Sequence, residues 1–267
     1  MADRAKETWG SGDAYEQYVG RWSRLVAAEF LGWLDVEAGS TWADVGCGTG
    51  VLTERILADE AVTLILATDR SAGFIRTAHG RLQDHRVQLS VGDALALAWG
   101  DNSCDATVSG LVLNFVGSPK AMACEMVRVT RPGGTVAAYV WDYAGGMQMM
   151  RHFWDAAVKI HPQDAKLDQA ERFPICQPQP LEKLFHEVGL HAVSVRAIDI
   201  VTVFRDFDDY WTPFLGKQGA APTYLASLDT AEQDRIRDAL KARLPTTADG
   251  SIRLNARAWA VQGIVPR

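Results

Sequence analysis

The segment Asp44-Val45-Gly46-Cys47-Gly48-Thr49-Gly50 constrains this chain more than any other stretch of it. It follows an apolar run, Thr41 to Val45, and precedes a helical pattern over Leu52 to Ala58. Three glycines in five residues let a backbone turn tightly and approach a ligand closely. The expected arrangement is a strand, a turn whose N–H groups point at a ligand, and the first turn of a helix. A dinucleotide fingerprint would carry its third glycine at position 51, where Val51 stands, and no Gly-Lys-Ser/Thr follows to make a P-loop.

Around this loop the chain alternates apolar runs with amphipathic patterns. The runs are Thr41 to Val45, Val62 to Thr68, Val87 to Val91, Ala106 to Val112 and Thr135 to Trp141. Leu52 to Ala58, Phe74 to Leu82 and Met122 to Val129 carry apolar residues every three or four positions. This is the pattern of parallel strands joined by crossover helices. Asp44, Asp69 and Asp93 recur at steps of 25 and 24 residues, about one strand, one helix and two turns. All three therefore fall at the carboxyl edge of the sheet, where open α/β sheets bind ligands. Asp69 closes the second strand, where a carboxylate can accept two hydrogen bonds from a ribose diol. Gly92-Asp93-Ala94 follows the third and offers an acceptor beside a backbone donor, as an adenine edge requires.

The flanks read differently. Tyr15, Tyr18, Trp22, Leu25 and Leu34 sit at near-helical spacing and predict an N-terminal helical cap, broken near Gly20. Gly145, Gly146 and the prolines at 162, 174, 178 and 180 predict an irregular insertion after the fifth strand. Val193 to Phe204 and Ile252 to Val265 read as two more strands of the same sheet, antiparallel, with a polar helix over Thr230 to Ala242 between them. The predicted fold is thus a doubly wound, Rossmann-like, mostly parallel seven-stranded α/β sheet with helices on both faces. One domain spans 1–267, with a cap at 13–35, a ligand-binding core at 40–142, and a candidate acceptor-pocket cap at 143–180 and 205–228. The aromatic and methionine content of Trp141 to Trp154 and Phe204 to Leu225 leaves two readings open, a greasy pocket or the packed core of a cap.

Composition narrows the setting. With 27 Lys and Arg against 33 Asp and Glu, a net charge of −6, and no basic cluster, long nucleic acid is not an expected partner. No run of about eighteen apolar residues predicts a membrane span, and the N-terminus carries no signal-peptide pattern. Four dispersed cysteines, with no C-x-x-C pair and no Cys/His cluster, predict neither a disulfide framework nor a metal site and suit a reducing cytoplasm. Nothing in the pattern specifies an oligomeric state.

The ordered set Asp44 to Gly50, Asp69, Gly92-Asp93-Ala94, Asp105 and Arg131-Pro132-Gly133-Gly134 resembles the class I S-adenosylmethionine-dependent methyltransferases. The likeness is to their small-molecule branch, near the ubiquinone and menaquinone biosynthesis enzymes, and it covers about residues 13 to 142. It implies S-adenosylmethionine as cofactor and methyl transfer to a small-molecule acceptor. Gly46, Cys47 and Gly48 would then line the methionyl part of the cofactor, with Asp44 near its amino group, and Gly50 would be a further cofactor-binding residue of the same loop. Asp69 would hold the ribose diol, Arg70 would pack beside the adenine, and Asp93 and Ala94 would read the adenine edge. Ser109, Gly110 and Leu111 would pass close to the methionyl amine and the sulfonium, and Tyr18, Arg21 and Trp22 would form a lid. Cys47 beside a helix N-terminus could be a nucleophile, although its glycine neighbours favour a small loop side chain. Where the acceptor needs a base, His152 and His161 are the candidates. An NAD-dependent oxidoreductase, or a non-catalytic cofactor-binding protein of the same fold, are the alternatives.

Overall fold

The computed structural model describes residues 20–59, 61–216 and 219–267. Helix α1 (Arg21–Trp33) leads into β1 (Thr41–Val45), α2 (Val51–Leu57), β2 (Leu64–Asp69), α3 (Ala72–Arg81) and β3 (Val87–Val91). Then come β4 (Cys104–Gly110), α4 (Pro119–Val129) and β5 (Thr130–Trp141). The strands hydrogen-bond in the order β3-β2-β1-β4-β5, and each of these pairs is parallel. Strand order reverses between β1 and β4, the switch point at which such sheets open a crevice. Local chemistry sets the helix starts: the Ser71 hydroxyl accepts from Phe74 N–H to cap α3, and Ser118 caps α4 in the same way with Pro119 in its first turn. β1, β4 and the second half of β5 are almost wholly buried, as strands covered on both faces must be.

The remainder runs through α5 (Gln148–Ile160), α6 (Gln169–Arg172), α7 (Pro178–Glu187), β6 (His191–Phe204), α8 (Phe207–Trp211), α9 (Ala220–Ala226), α10 (Thr230–Arg243) and β7 (Ile252–Ile264). β7 and β6 complete the sheet in the order β5-β7-β6. β7 lies antiparallel to β5: Gly133 N–H donates to Val265 O at 2.8 Å at one end, and Asp142 N–H donates to Arg257 O at 2.9 Å at the other. The predicted seven-stranded, mostly parallel sheet is therefore present among the described residues. Where prolines and Gly145-Gly146 suggested irregular chain, α5 is instead a regular helix. Met149, Met150, Phe153, Trp154, Ala156 and Ala157 are its buried residues, repeating at helical spacing. Pro162, Pro178 and Pro180 stand at or near helix starts, where a missing N–H costs nothing.

The chain divides into two compact units. Among the described residues, one comprises 20–22, Trp141–Pro174 and Asp199–Arg257; the other comprises Ser23–Val140, Ile175–Ile198 and Ala258–Arg267. The first has an aromatic core. Phe153 stacks on Phe214 with ring centroids 4.8 Å apart and meets Trp154 and Tyr224 edge-on. Tyr210 packs on Phe204 and Phe214 and gives its hydroxyl to Met149 O at 2.8 Å. These aromatics are fully buried against one another, so they form a packed core. The second unit holds the parallel strands and the glycine loop. Phe153→Ala should cost about 3 to 5 kcal/mol of stability, whereas exposed Lys166→Ala should stay within about 0.5 kcal/mol; denaturant unfolding measures both.

Candidate functional site

The loop after β1 owes its shape to its glycines. Gly46, Gly48 and Gly50 have φ of +78°, +56° and +89°, left-handed values that L side chains resist. A Cβ on Gly46 would stand 2.8 Å from Val112 Cγ1, and one on Gly50 would stand 2.7 Å from Leu82 Cδ1. One on Gly48 would meet nothing within 4 Å. Gly46 and Gly50 are thus packed from behind, while Gly48 presents its backbone to open space.

The loop's N–H groups do not point outward as the sequence suggested. Gly46 N–H and Cys47 N–H both donate to Thr68 O, at 2.8 and 2.9 Å, and Gly50 N–H donates to Cys47 O at 2.9 Å. Gly48 N–H donates to the Asp69 carboxylate at 3.0 Å. Thr68 O at the end of β2, the side chain of Asp69 and the loop's own Cys47 O take up these donors, so this loop is not the anion nest that a pyrophosphate needs.

Asp69 closes the arrangement. Its Oδ2 accepts from Gly48 N–H and its Oδ1 from Ser71 N–H at 2.8 Å, which ties the glycine loop to the start of α3. A carboxylate offers about four acceptor positions, so two remain for a pair of hydroxyls. Partial burial raises its pKa, and the two N–H bonds oppose that rise.

Asp44 lies fully buried beneath the loop, where its Oδ2 accepts the Thr53 hydroxyl at 2.6 Å and its Oδ1 has no protein partner. Burial pushes its carboxyl up to about 7, Thr53 opposes, and the nearby Asp69 adds to the rise. Cys47 turns its side chain into a cluster with Ala67, Ile75 and Leu89. Burial, before any neighbouring charge, lifts its thiol well above the ordinary range, the state of an inert core cysteine.

The other expected site residues are placed as follows. Asp93 is exposed, and its Oδ1 accepts from Leu95 N–H at 2.9 Å to close the turn after β3, with Ala94 half-buried beside it. Arg70 is exposed next to Asp69. Ser109 gives its hydroxyl to Val45 O at 2.7 Å, joining the ends of β4 and β1. Leu111 takes the left-handed φ of +63°, unusual for a branched side chain. Asp44, Gly46, Cys47, Gly48, Gly50, Asp69, Arg70, Asp93, Ala94, Ser109 and Leu111 all belong to the second unit. Tyr18 lies outside the described residues.

Arg21, His152 and His161 belong to the first unit. Arg21 is engaged there, 3.1 Å from Asp209 and with its guanidinium over the rings of Trp22 and Phe204. His152 is half-buried, and burial followed by Arg243 lowers its pKa. His161 is buried, with Nε2 3.8 Å from a Glu232 oxygen. The sequence reading missed Asn114, which is 7% exposed and whose amide has no hydrogen-bond partner. Only the folded chain shows that burial.

A doubly wound sheet with a glycine loop after β1 and a carboxylate at the end of β2 defines a Rossmann-like, nucleoside-binding class of protein. A methyltransferase-domain family model matches residues 43–138, all within the second unit. The demethylmenaquinone methyltransferase of Renibacterium salmoninarum is 37% identical over 114 residues, 43% of this chain and 45% of that protein. That of Roseiflexus castenholzii is 30% identical over 171 residues, 59% of this chain and 70% of that protein. Phosphoethanolamine N-methyltransferase 2 of Haemonchus contortus, solved with phosphomonomethylethanolamine and S-adenosylhomocysteine, shares the fold. Its TM-score is 0.59 at 16% identity, over 96% of this chain and 57% of that one. The chain belongs to the class I S-adenosylmethionine-dependent methyltransferase family, and it spans less than half the length of the Renibacterium relative.

Gly46→Ala should lose at least about 2 kcal/mol, from the left-handed backbone and the Val112 contact together. Gly48→Ala, which faces open space, should lose only the backbone share, about 1 to 2 kcal/mol. Equal losses in urea unfolding would contradict the packing described here.

Asp44 gives a pH prediction. A carboxyl whose folded pKa is raised binds protons more tightly folded than unfolded, so its contribution favours the fold at low pH and is lost as pH rises from about 4 towards 7. Wild type should therefore gain stability over Asp44→Asn on acidification from about pH 7.5 to 4.5, by on the order of a few kcal/mol. Parallel stability curves for the two proteins would mean that Asp44 is not held protonated.

Proposed function

We propose that this protein is an S-adenosylmethionine-dependent methyltransferase whose acceptor is a small molecule of the hydroquinone type. The observation that carries the cofactor assignment is the pairing of Gly48 and Asp69. A glycine faces open space beside a carboxylate with two acceptor positions to spare, while the loop's N–H groups are spent inside the protein. A nicotinamide dinucleotide would bring a pyrophosphate to this turn, and those donors are already committed. A nucleoside with a cationic, amino-acid-bearing tail asks instead for acceptors, which Asp69 and the unpartnered Asp44 oxygen supply.

When bound, S-adenosylmethionine supplies an already activated sulfonium methyl. The protein's task is then chiefly alignment, worth up to roughly 7 to 11 kcal/mol in well-oriented systems. Asp69 would hold the ribose hydroxyls, Asp93 and Ala94 the adenine edge, and the ends of β1 and β4 the methionyl end. The hydroquinone-type acceptor rests on the relatives named demethylmenaquinone methyltransferase. A net charge of −6 supports a small acceptor over long nucleic acid. Free cysteines at 47, 104, 124 and 176 support a reducing, cytoplasmic setting. Among the described residues no helix is long and apolar enough to cross a membrane.

Thermal unfolding with S-adenosylmethionine, S-adenosylhomocysteine and NAD tests the reading, since a ligand that binds only the folded state raises its stability. The two sulfur ligands should raise Tm and NAD should not; a shift with NAD alone would overturn the assignment. Asp69→Ala should leave the protein folded and weaken S-adenosylhomocysteine by about 10- to 150-fold, roughly 1.5 to 3 kcal/mol. Unchanged affinity in calorimetric titration would reduce Asp69 to a loop-bracing role.

A further inference from the structure

Asn114 is the one fully amide-bearing side chain among the described residues that is buried with neither Oδ1 nor Nδ2 hydrogen-bonded. An unsatisfied buried polar group costs about 1 to 3 kcal/mol, so its presence asks for a reason. Turn chemistry does not give one. Asn114 is the third residue of a turn closed by Phe115 N–H donating to Val112 O at 2.8 Å. Asparagine serves turns through a left-handed backbone or a side-chain bond to nearby main chain, and Asn114 has neither a positive φ nor such a bond.

Its place in the fold supplies the reason. The turn follows β4, the glycine loop follows β1, and the strand order reverses between these two strands. The two loops are locked together: Ser109 bonds Val45 O, and the Val112 side chain fills the space behind Gly46. Leu111, between them, holds a left-handed φ of +63°, strain that the surrounding contacts must sustain. Beneath the same loop lies a second orphan, the Asp44 Oδ1. At one switch point the chain therefore keeps two unpaired acceptor oxygens and one unpaired NH2 group.

We propose that Asn114 is a binding residue for the zwitterionic amino-acid end of the cofactor, its Oδ1 accepting from the ammonium and its Nδ2 donating to the carboxylate. This rests on the cofactor assignment above. An α-amino acid presents a donor cluster and an acceptor pair on adjacent atoms, and a primary amide complements both at once. The Asp44 oxygen adds a second acceptor for the ammonium.

The test compares S-adenosylhomocysteine with 5′-methylthioadenosine, which keeps the adenosine and sulfur but lacks the amino-acid end. Calorimetric titration of wild type, Asn114→Leu and Asn114→Asp reads the affinities, and thermal unfolding without ligand reads the fold. Asn114→Leu should have an unchanged or higher Tm, because an apolar side chain of similar size replaces an unsatisfied amide. It should bind S-adenosylhomocysteine at least about tenfold more weakly and 5′-methylthioadenosine within about twofold of wild type. Asn114→Asp, which keeps the acceptor and sets a negative charge against the carboxylate, should show the same selective loss. The proposal is overturned if S-adenosylhomocysteine affinity stays within about threefold, or if both ligands weaken together alongside a fallen Tm, the signature of a structural amide. It is also overturned if wild type binds the two ligands equally well. If wild type binds neither, the cofactor assignment itself fails; if it binds both and only the Asn114 variants are silent, that assignment stands and this inference alone falls.

Discussion

The carboxylate of Asp69 is the interaction on which the geometry of the second unit turns. Its two oxygens take N–H groups from Gly48 and Ser71, so one side chain at the end of β2 fixes both the loop after β1 and the entry to α3. Thr68 O does the complementary work one residue earlier, taking Gly46 and Cys47 N–H. A turn with three left-handed glycines would otherwise be among the most mobile parts of the chain, since glycine loses the most conformational freedom on ordering. Held by β2, it becomes a rigid rim. The same bonds decide its chemistry, because donors that brace the loop are not available to a ligand.

This explains why the glycine motif and the ligand class have to be argued separately. Gly-rich turns between a strand and a helix serve phosphates where their N–H groups are free, and other ligands where they are not. Here Gly46 and Gly50 are required for packing, against Val112 and Leu82, while Gly48 alone faces open space. The two carboxylates that flank this loop, Asp69 at its side and Asp44 beneath it, differ in state. Asp69 is partly buried and braced by two N–H groups, whereas Asp44 is fully buried with one hydroxyl donor and a carboxyl pushed up to about 7. A cation near Asp44 would favour its ionised form, so binding of a cationic ligand there would be linked to proton release.

Much of the architecture was legible because it follows from periodicity. β3 was expected at Val87 to Val91 and found there, and the polar helix expected from Thr230 begins at Thr230 with a full Asp229/Glu232 capping box. The even spacing of Asp44, Asp69 and Asp93 was legible for the same reason, since one βα unit has a nearly fixed length. α5 was hidden because Gly145-Gly146 and Pro162 bracket it, and those residues signal a loop without revealing a buried methionine and aromatic face between them. The direction of the Gly46 and Cys47 N–H groups was misjudged because their partner, the main-chain carbonyl of Thr68, leaves no trace in residue identity. Asn114 carried no signal for a related reason: an asparagine in a turn is ordinary until its burial and missing hydrogen bonds are known.

The two kinds of buried polar group in this chain therefore have different standing. Ser109, Thr53 and Thr107 are buried and satisfied, each hydrogen-bonded to a partner in its own unit, and they fasten strands and helices to one another. Asp44 Oδ1 and the Asn114 amide are buried and unsatisfied. A protein with a normal stability margin of about 5 to 15 kcal/mol gives up an appreciable part of it to keep such groups. Both flank the point where strand order reverses, the place in this architecture where a ligand can return that energy on binding. Unpaired groups such as Trp141 Nε1 and Thr223 Oγ1 belong to the first unit, but at the switch point the atoms that weaken the empty fold would be the ones that recognise its ligand.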